Sequence, residues 1–195
     1  MNYVLFTTIL VIVLSFSTQL FNAVRPALLN SKLMKLLSQN DFSSFDNLYS
    51  KSAGKLTDYD RCFLLLDRSL LEADEKTIRK CFDEFEAIKM TEPQQAVIYS
   101  KAFYFFLSVQ DYSKCEKYYH LLKDNEYYED YHNLDIIYNV YIEKGDKYLD
   151  ELLEHSSSAN VLSLISVIYS NRGDYDKAKE YEDKIRDAYN CPISQ

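Results

Sequence analysis

The sequence predicts an all-α protein: an α-solenoid of about five helical hairpins, preceded by one transmembrane helix. Three observations carry that prediction. Only 3 Gly and 3 Pro occur in 195 residues, too few for the turns of a β fold. Aspartates that follow short breaks (Asp41, Asp74, Asp111, Asp146 and Asp174) recur at separations of 33, 37, 35 and 28 residues. Tyr3–Val24 carries no charge over 22 residues. A period of about 34 residues built of two helices marks stacked hairpins, because a lone hairpin cannot bury its apolar face and a stack shares one core.

The uncharged stretch is densest at Ile9–Leu14, where every side chain is aliphatic. A helix of that length reaches across a hydrocarbon core of about 30 Å. Thr7, Thr8, Ser15, Ser17 and Thr18 are able to bond back to their own helix. The alternative is a cleaved secretory signal, which calls for a basic start; Met1-Asn2-Tyr3 has neither Lys nor Arg. Arg25, Lys32 and Lys35 follow the stretch, and such residues are retained on the cytoplasmic side. The expectation is a single-pass membrane protein with a signal-anchor over residues 3–24, a cytoplasmic repeat domain over 27–190 and a tail over 191–195.

Beyond the anchor the chain alternates helix and break. Ala27–Ser38 carries Leu28, Leu29, Leu33, Met34, Leu36 and Leu37, and Asp41 caps a partner with Phe42, Phe45 and Leu48. Asp58–Leu71 is rich in Leu and Phe, and Asp74 starts a helix with Ile78, Cys81, Phe82 and Phe85 on one face. Thr91-Glu92-Pro93 marks a third start, with threonine as cap and proline in the first turn. Ala96–Leu107 follows, then a turn into Asp111-Tyr112. Tyr127–Glu143 closes at Lys144-Gly145-Asp146, and Leu149, Leu152 and Leu153 make its partner. The last pair spans Ala159–Asn190. Gly173 ends its first helix in the left-handed conformation and Asp174 caps its second, on which Tyr175, Ala178, Tyr181 and Ile185 form a stripe.

Composition narrows the function. Hydrophobic residues make up 47%, enough for a folded core. Net charge is −8; Arg25, Lys32 and Lys35 are the only charges in residues 1–40, so the remainder carries −8 less those three, or −11. An acidic domain repels phosphate backbones, which argues against nucleic acid. Cys62, Cys81, Cys115 and Cys191 form no C-x-x-C pair and have no His at metal-ligand spacing. The first three sit among apolar helix positions and read as reduced core thiols, with a disulfide pair as the alternative. His120, His132 and His155 are scattered, and no phosphate loop, H-E-x-x-H or nucleophile elbow occurs. No cofactor, no metal and no enzymatic role is expected.

The last unit resembles the tetratricopeptide repeat (TPR) superfamily. Tyr169, Gly173, Asp174-Tyr175 and Ala178 match its aromatic in helix A, its turn and its small residue in helix B, with Pro192 where a repeat often ends. Phe106, Asp111-Tyr112 and Cys115 match in the third unit. Leu36 and Asn40-Asp41-Phe42 match in the first, where Phe45 replaces Ala. The other two depart further: Ser69 stands for the aromatic and Asp150 for the alanine. The resemblance covers about residues 27–190 and implies a right-handed superhelix that binds protein through its helix-A face. It therefore points to Tyr104, Asn133, Tyr138 and Asn139 as candidate partner-binding residues. Phe63, Asp67 and Ile136 stand where a chaperone-tail clamp would need Lys, Arg or Asn. The function implied is a membrane-tethered scaffold or adaptor, with a basic or amphipathic protein segment as its partner. A secreted TPR protein or a structural subunit of a membrane complex are the alternatives.

Overall fold

The structure, a computed structural model, describes residues 24–190. Every regular element among them is helical. The chain divides into two compact units, one ending at Met90 and one beginning at Thr91.

The first unit holds α1 (24–38), α2 (Phe42–Ser52), a 3-10 turn (Ala53–Lys55), α3 (Asp58–Glu72) and α4 (Glu75–Phe85). Leu33 and Leu37 of α1, Phe45 of α2, Leu56, and Leu64 of α3 form one buried cluster. Ile78, Cys81, Phe82 and Phe85 recur at helical spacing on α4, and all are buried where that helix packs along α3. Arg68 is the buried charged residue among those described in this unit. Its guanidinium lies 3.9 Å from the centre of the Phe42 ring and pairs with Asp46 at 3.4 Å and with Glu72. Two carboxylates and an aromatic face thus replace the water it loses.

The second unit holds α5 (Glu92–Ser108), α6 (Tyr112–Lys123), α7 (Tyr131–Tyr141), α8 (Leu149–Glu154), α9 (Ala159–Asn171) and α10 (Tyr175–Asn190). Thr91 and Gln94 form a capping box at the start of α5, with Pro93 in its first turn. Phe103 and Phe106 are fully buried, and Phe106 stacks on Tyr118 of α6 at 5.7 Å. A second cluster joins Ile136 and Val140 of α7, Leu149 and Leu152 of α8, Ile165 and Ile168 of α9, and Ala178 of α10. Asn171 donates to the Val140 carbonyl at 2.9 Å, so the open end of α7 is tied to α9.

Among the described residues, four of the five turns that join the two helices of a hairpin are the same structure. Asp41, Asp74, Asp111 and Asp174 each donate their backbone N–H five residues back, to Leu36, Ser69, Phe106 and Tyr169, at 2.9 to 3.0 Å. The residue before each aspartate has positive φ: Asn40 at 55°, Ala73 at 55°, Gln110 at 58° and Gly173 at 78°. This is a Schellman end followed at once by an N-cap. Each aspartate carboxylate then accepts the N–H three residues on, from Ser44, Thr77, Lys114 and Lys177. At Asp41 and Asp74 the Ser44 and Thr77 hydroxyls, together with these backbone bonds, hold the carboxyl below its usual pKa.

Three expectations are corrected. Asp146 does not begin a helix: α8 starts at Leu149, is six residues long and has no side-chain cap, and Asp146 pairs instead with Arg172 at 2.8 Å. The helix expected from Tyr127 starts at Tyr131, because buried Asn125 organises a loop there. Its side chain donates to the Glu92 carbonyl at 3.1 Å and accepts from Tyr127 N–H at 2.9 Å. Third, no helix among the described residues is long and apolar enough to cross a membrane, which overturns the reading of a single-pass membrane protein. The described helices pack an apolar face against other helices, and α1 carries Arg25, Lys32 and Lys35 within its length. The stretch 3–23 of the expected anchor lies outside the described residues.

Candidate functional site

α5 and α9 are apolar on more than the face that makes the core. On α9, Leu162, Ile165 and Ile168 are buried, while Val161, Leu164 and Val167 form a second stripe, half-buried and packed along the margin of the core. On α5, Phe103 and Phe106 point inward and leave Tyr104 and Leu107 on another face, with Tyr104 40% exposed. A helix whose apolar surface extends beyond its fully buried face keeps part of it for a partner.

Those leftover faces meet. Tyr104 and Leu107 of α5, Ile137 and Tyr141 of α7, and Leu164 and Val167 of α9 line one groove of about 640 Å³. Gln110, Lys144, Asn160 and Ser163 supply polar groups around it. Tyr112 completes the wall beside Lys144, whose ammonium lies 5.1 Å from the centre of the Tyr112 ring. Lys144 is the single ionic side chain of the lining. A volume of this size falls in the range of ligand clefts, and the lining is mostly apolar with a few polar groups to set orientation. Burial raises the Tyr104 phenol above its usual pKa, opposed by a hydrogen bond with Tyr128. Burial also raises the Tyr128 phenol, so both phenols are neutral at physiological pH.

Of the four residues singled out from the sequence, Tyr104 lines this groove. Tyr138 stacks on Tyr119, with ring centres 3.8 Å apart. Tyr119 in turn donates to Asp135 at 2.7 Å, so this aromatic pair joins α6 to α7. Asn133 is exposed and donates to Asp130 at 2.7 Å, at the start of α7. Asn139 is 8% exposed and organises the loop after α7: it donates to Glu143 at 2.7 Å and accepts from Lys147 N–H at 3.2 Å. The apolar groove residues that the sequence does not single out for binding are Leu107, Ile137, Leu164 and Val167. Their signal was the apolar stripe on each helix beyond what one core face needs.

Other polar clusters are smaller. His132 meets Glu151 at 2.5 Å on the surface. Among the described residues no three His, Cys, Asp or Glu side chains gather as a metal-binding group.

The fold and the groove define an all-helical, repeat-like protein with an apolar cleft on three successive first helices of its hairpins. Comparison with protein-family models, with curated proteins and with solved structures finds no match.

Proposed function

We propose that the chain is a TPR-like protein-interaction module, a scaffold or adaptor without catalytic chemistry, which holds an apolar or amphipathic protein segment in the groove on α5, α7 and α9. The observation that carries this reading is that α5, α7 and α9, the first helices of three consecutive hairpins, share one apolar cleft. Lining by first helices is what the TPR resemblance implies for a superhelix, and the four repeated turns support a common hairpin unit. Tyr104 and Tyr112 supply rigid contact area of the kind found at interface hot spots. The net charge of −8 favours basic residues flanking the apolar anchor of the partner.

A random peptide library displayed on phage and selected against the full chain tests this. The expected result is enrichment of amphipathic peptides whose affinity falls at least tenfold on Val167→Glu, while far-UV circular dichroism stays unchanged. Enriched peptides that bind Val167→Glu and Leu107→Glu as well as the parent would remove the groove from the proposal. Failure to enrich any sequence would remove peptide binding altogether.

A further inference from the structure

Cys62 of α3 and Cys81 of α4 face each other inside the first unit. Both are buried, at 3% and 1% exposure. The Cys62 thiol donates to the Cys81 carbonyl oxygen at 3.5 Å, a hydrogen-bonding distance for sulfur, so the two cysteines are direct neighbours across α3 and α4. The Glu84 carboxylate, one turn beyond Cys81, stands 3.9 Å from the Cys62 sulfur. Glu84 is half-exposed and pairs with Lys80 at 3.4 Å. The dithiol therefore sits one side chain below the surface, with a carboxylate at its mouth. Cys115, buried alone in the second unit, donates to the Phe103 carbonyl at 3.7 Å, and burial raises its thiol to about 11.

We propose that Cys62 and Cys81 form an oxidisable dithiol that a hydroperoxide closes into a disulfide, stapling α3 to α4. The two sulfurs have different roles. Contact with Cys62 holds the Cys81 thiol below its ordinary pKa, whereas that contact, burial and Glu84 raise Cys62. The Glu84 carboxylate beside the Cys62 sulfur disfavours a second negative charge there, so Cys81 is the thiolate that attacks the peroxide. Its sulfur takes one peroxide oxygen to become a sulfenic acid, and the other oxygen leaves as hydroxide, which takes up the proton released by the thiol and departs as water. The Cys62 sulfur then attacks the Cys81 sulfur. The sulfenic oxygen leaves as a second water, with Glu84 placed to accept the Cys62 proton and pass it on. Two thiols and one hydrogen peroxide give one disulfide and two waters. The bond would close the chain between residues 62 and 81 across one hairpin and constrain its unfolded state.

The test uses the reduced full chain carrying Cys191→Ser, which leaves Cys62, Cys81 and Cys115 as its thiols. After hydrogen peroxide, thiols titrated in denaturant should fall from three to one and the intact mass by about 2 Da, the two hydrogens lost. Trypsin cleaves after Arg61 and Lys80, so a joined pair of peptides beginning at Cys62 and Cys81 identifies the bond. Cys62→Ser should stop at a sulfenic acid on Cys81 that dimedone traps. Glu84→Gln should slow closure several-fold with Tm unchanged. Three surviving thiols in the parent, loss confined to Cys115, or a bond between chains would each overturn the proposal.

Discussion

The turn between α9 and α10 and the turn between α7 and α8 start from nearly the same sequence, Arg172-Gly173-Asp174 against Lys144-Gly145-Asp146, and end differently. In the first, Gly173 takes the positive φ and Asp174 follows at once, so its carboxylate reaches the N–H of Lys177. In the second, Lys144 takes the positive φ, at 57°, and Gly145 intervenes. Asp146 is thereby moved one residue off the capping position. It finds Arg172 instead, and α8 begins late and short. The displaced residue traces to Asn139. Its side chain occupies the space beside Gly145 and is held there by Glu143 and Lys147 N–H, while Gly145 N–H donates to the Asn139 carbonyl at 2.8 Å. A cap therefore depends on the left-handed residue standing directly before it, not on the Gly-Asp pair alone.

The residue four beyond each capping aspartate breaks this comparison most strongly when changed. Phe45, Ile78, Cys115 and Ala178 occupy equivalent backbone positions, and all are buried. The turn fixes where the chain enters the core, and the facing helix fixes how much volume is available. Phe45→Ala should therefore cost about 3–5 kcal/mol, by lost transfer energy and a residual cavity in the Leu33–Leu37–Leu64 cluster. Ala178→Phe should cost less, about 1–3 kcal/mol, by overpacking where Ser166 donates to the Ala178 carbonyl at 3.0 Å. Urea unfolding measures both. Equal costs would mean that the four positions share one pocket size after all.

Gly145→Ala comes next. An added Cβ would meet the Asn139 side chain, with Cγ at 2.9 Å, and would displace it from its bonds to Glu143 and Lys147. Loss of these partly buried hydrogen bonds should cost about 1–3 kcal/mol. Gly54→Ala is the matched control, because nothing lies within 4 Å of a Cβ there. A near-neutral Gly145→Ala, with the Tm of the control, would show that Asn139 does not dictate the displaced turn.

What was legible in the sequence follows from the range of the physics. The four good caps were readable because an N-cap, its left-handed predecessor and its apolar follower lie within a few residues. All-helical architecture was readable from periodicity and from the scarcity of Gly and Pro. The late start of α7 was not, since Asn125 takes its partner from Glu92, 33 residues away. The groove was read in part. The sequence points to Tyr104, but on α7 it points to Tyr138 and Asn139, whereas the lining residues are Ile137 and Tyr141. One helical position is about 100° of rotation, so an error of one residue trades the groove for the contact with α6 or for the loop. The stacking of Tyr138 on Tyr119 decides that register, and it depends on the packed neighbour.

The finest test separates the four like turns from one another. Their left-handed residues are Asn40, Ala73, Gln110 and Gly173. A Cβ in this region approaches the following carbonyl oxygen at a cost of about 1–2 kcal/mol, which glycine avoids. Ala73 is exposed, so its methyl group contributes no packing that glycine would forfeit. Glycine also gives the unfolded chain more freedom, an opposing effect of about 0.4–1 kcal/mol. Ala73→Gly should therefore stabilise the protein by a net of about 0.5–1 kcal/mol, seen as a small rise in Tm. Gly173→Ala should lower stability by a similar amount. If Ala73→Gly lowers Tm instead, the entropy of the unfolded chain outweighs the strain at φ 55°, and the turn tolerates any residue that presents an aspartate immediately after it.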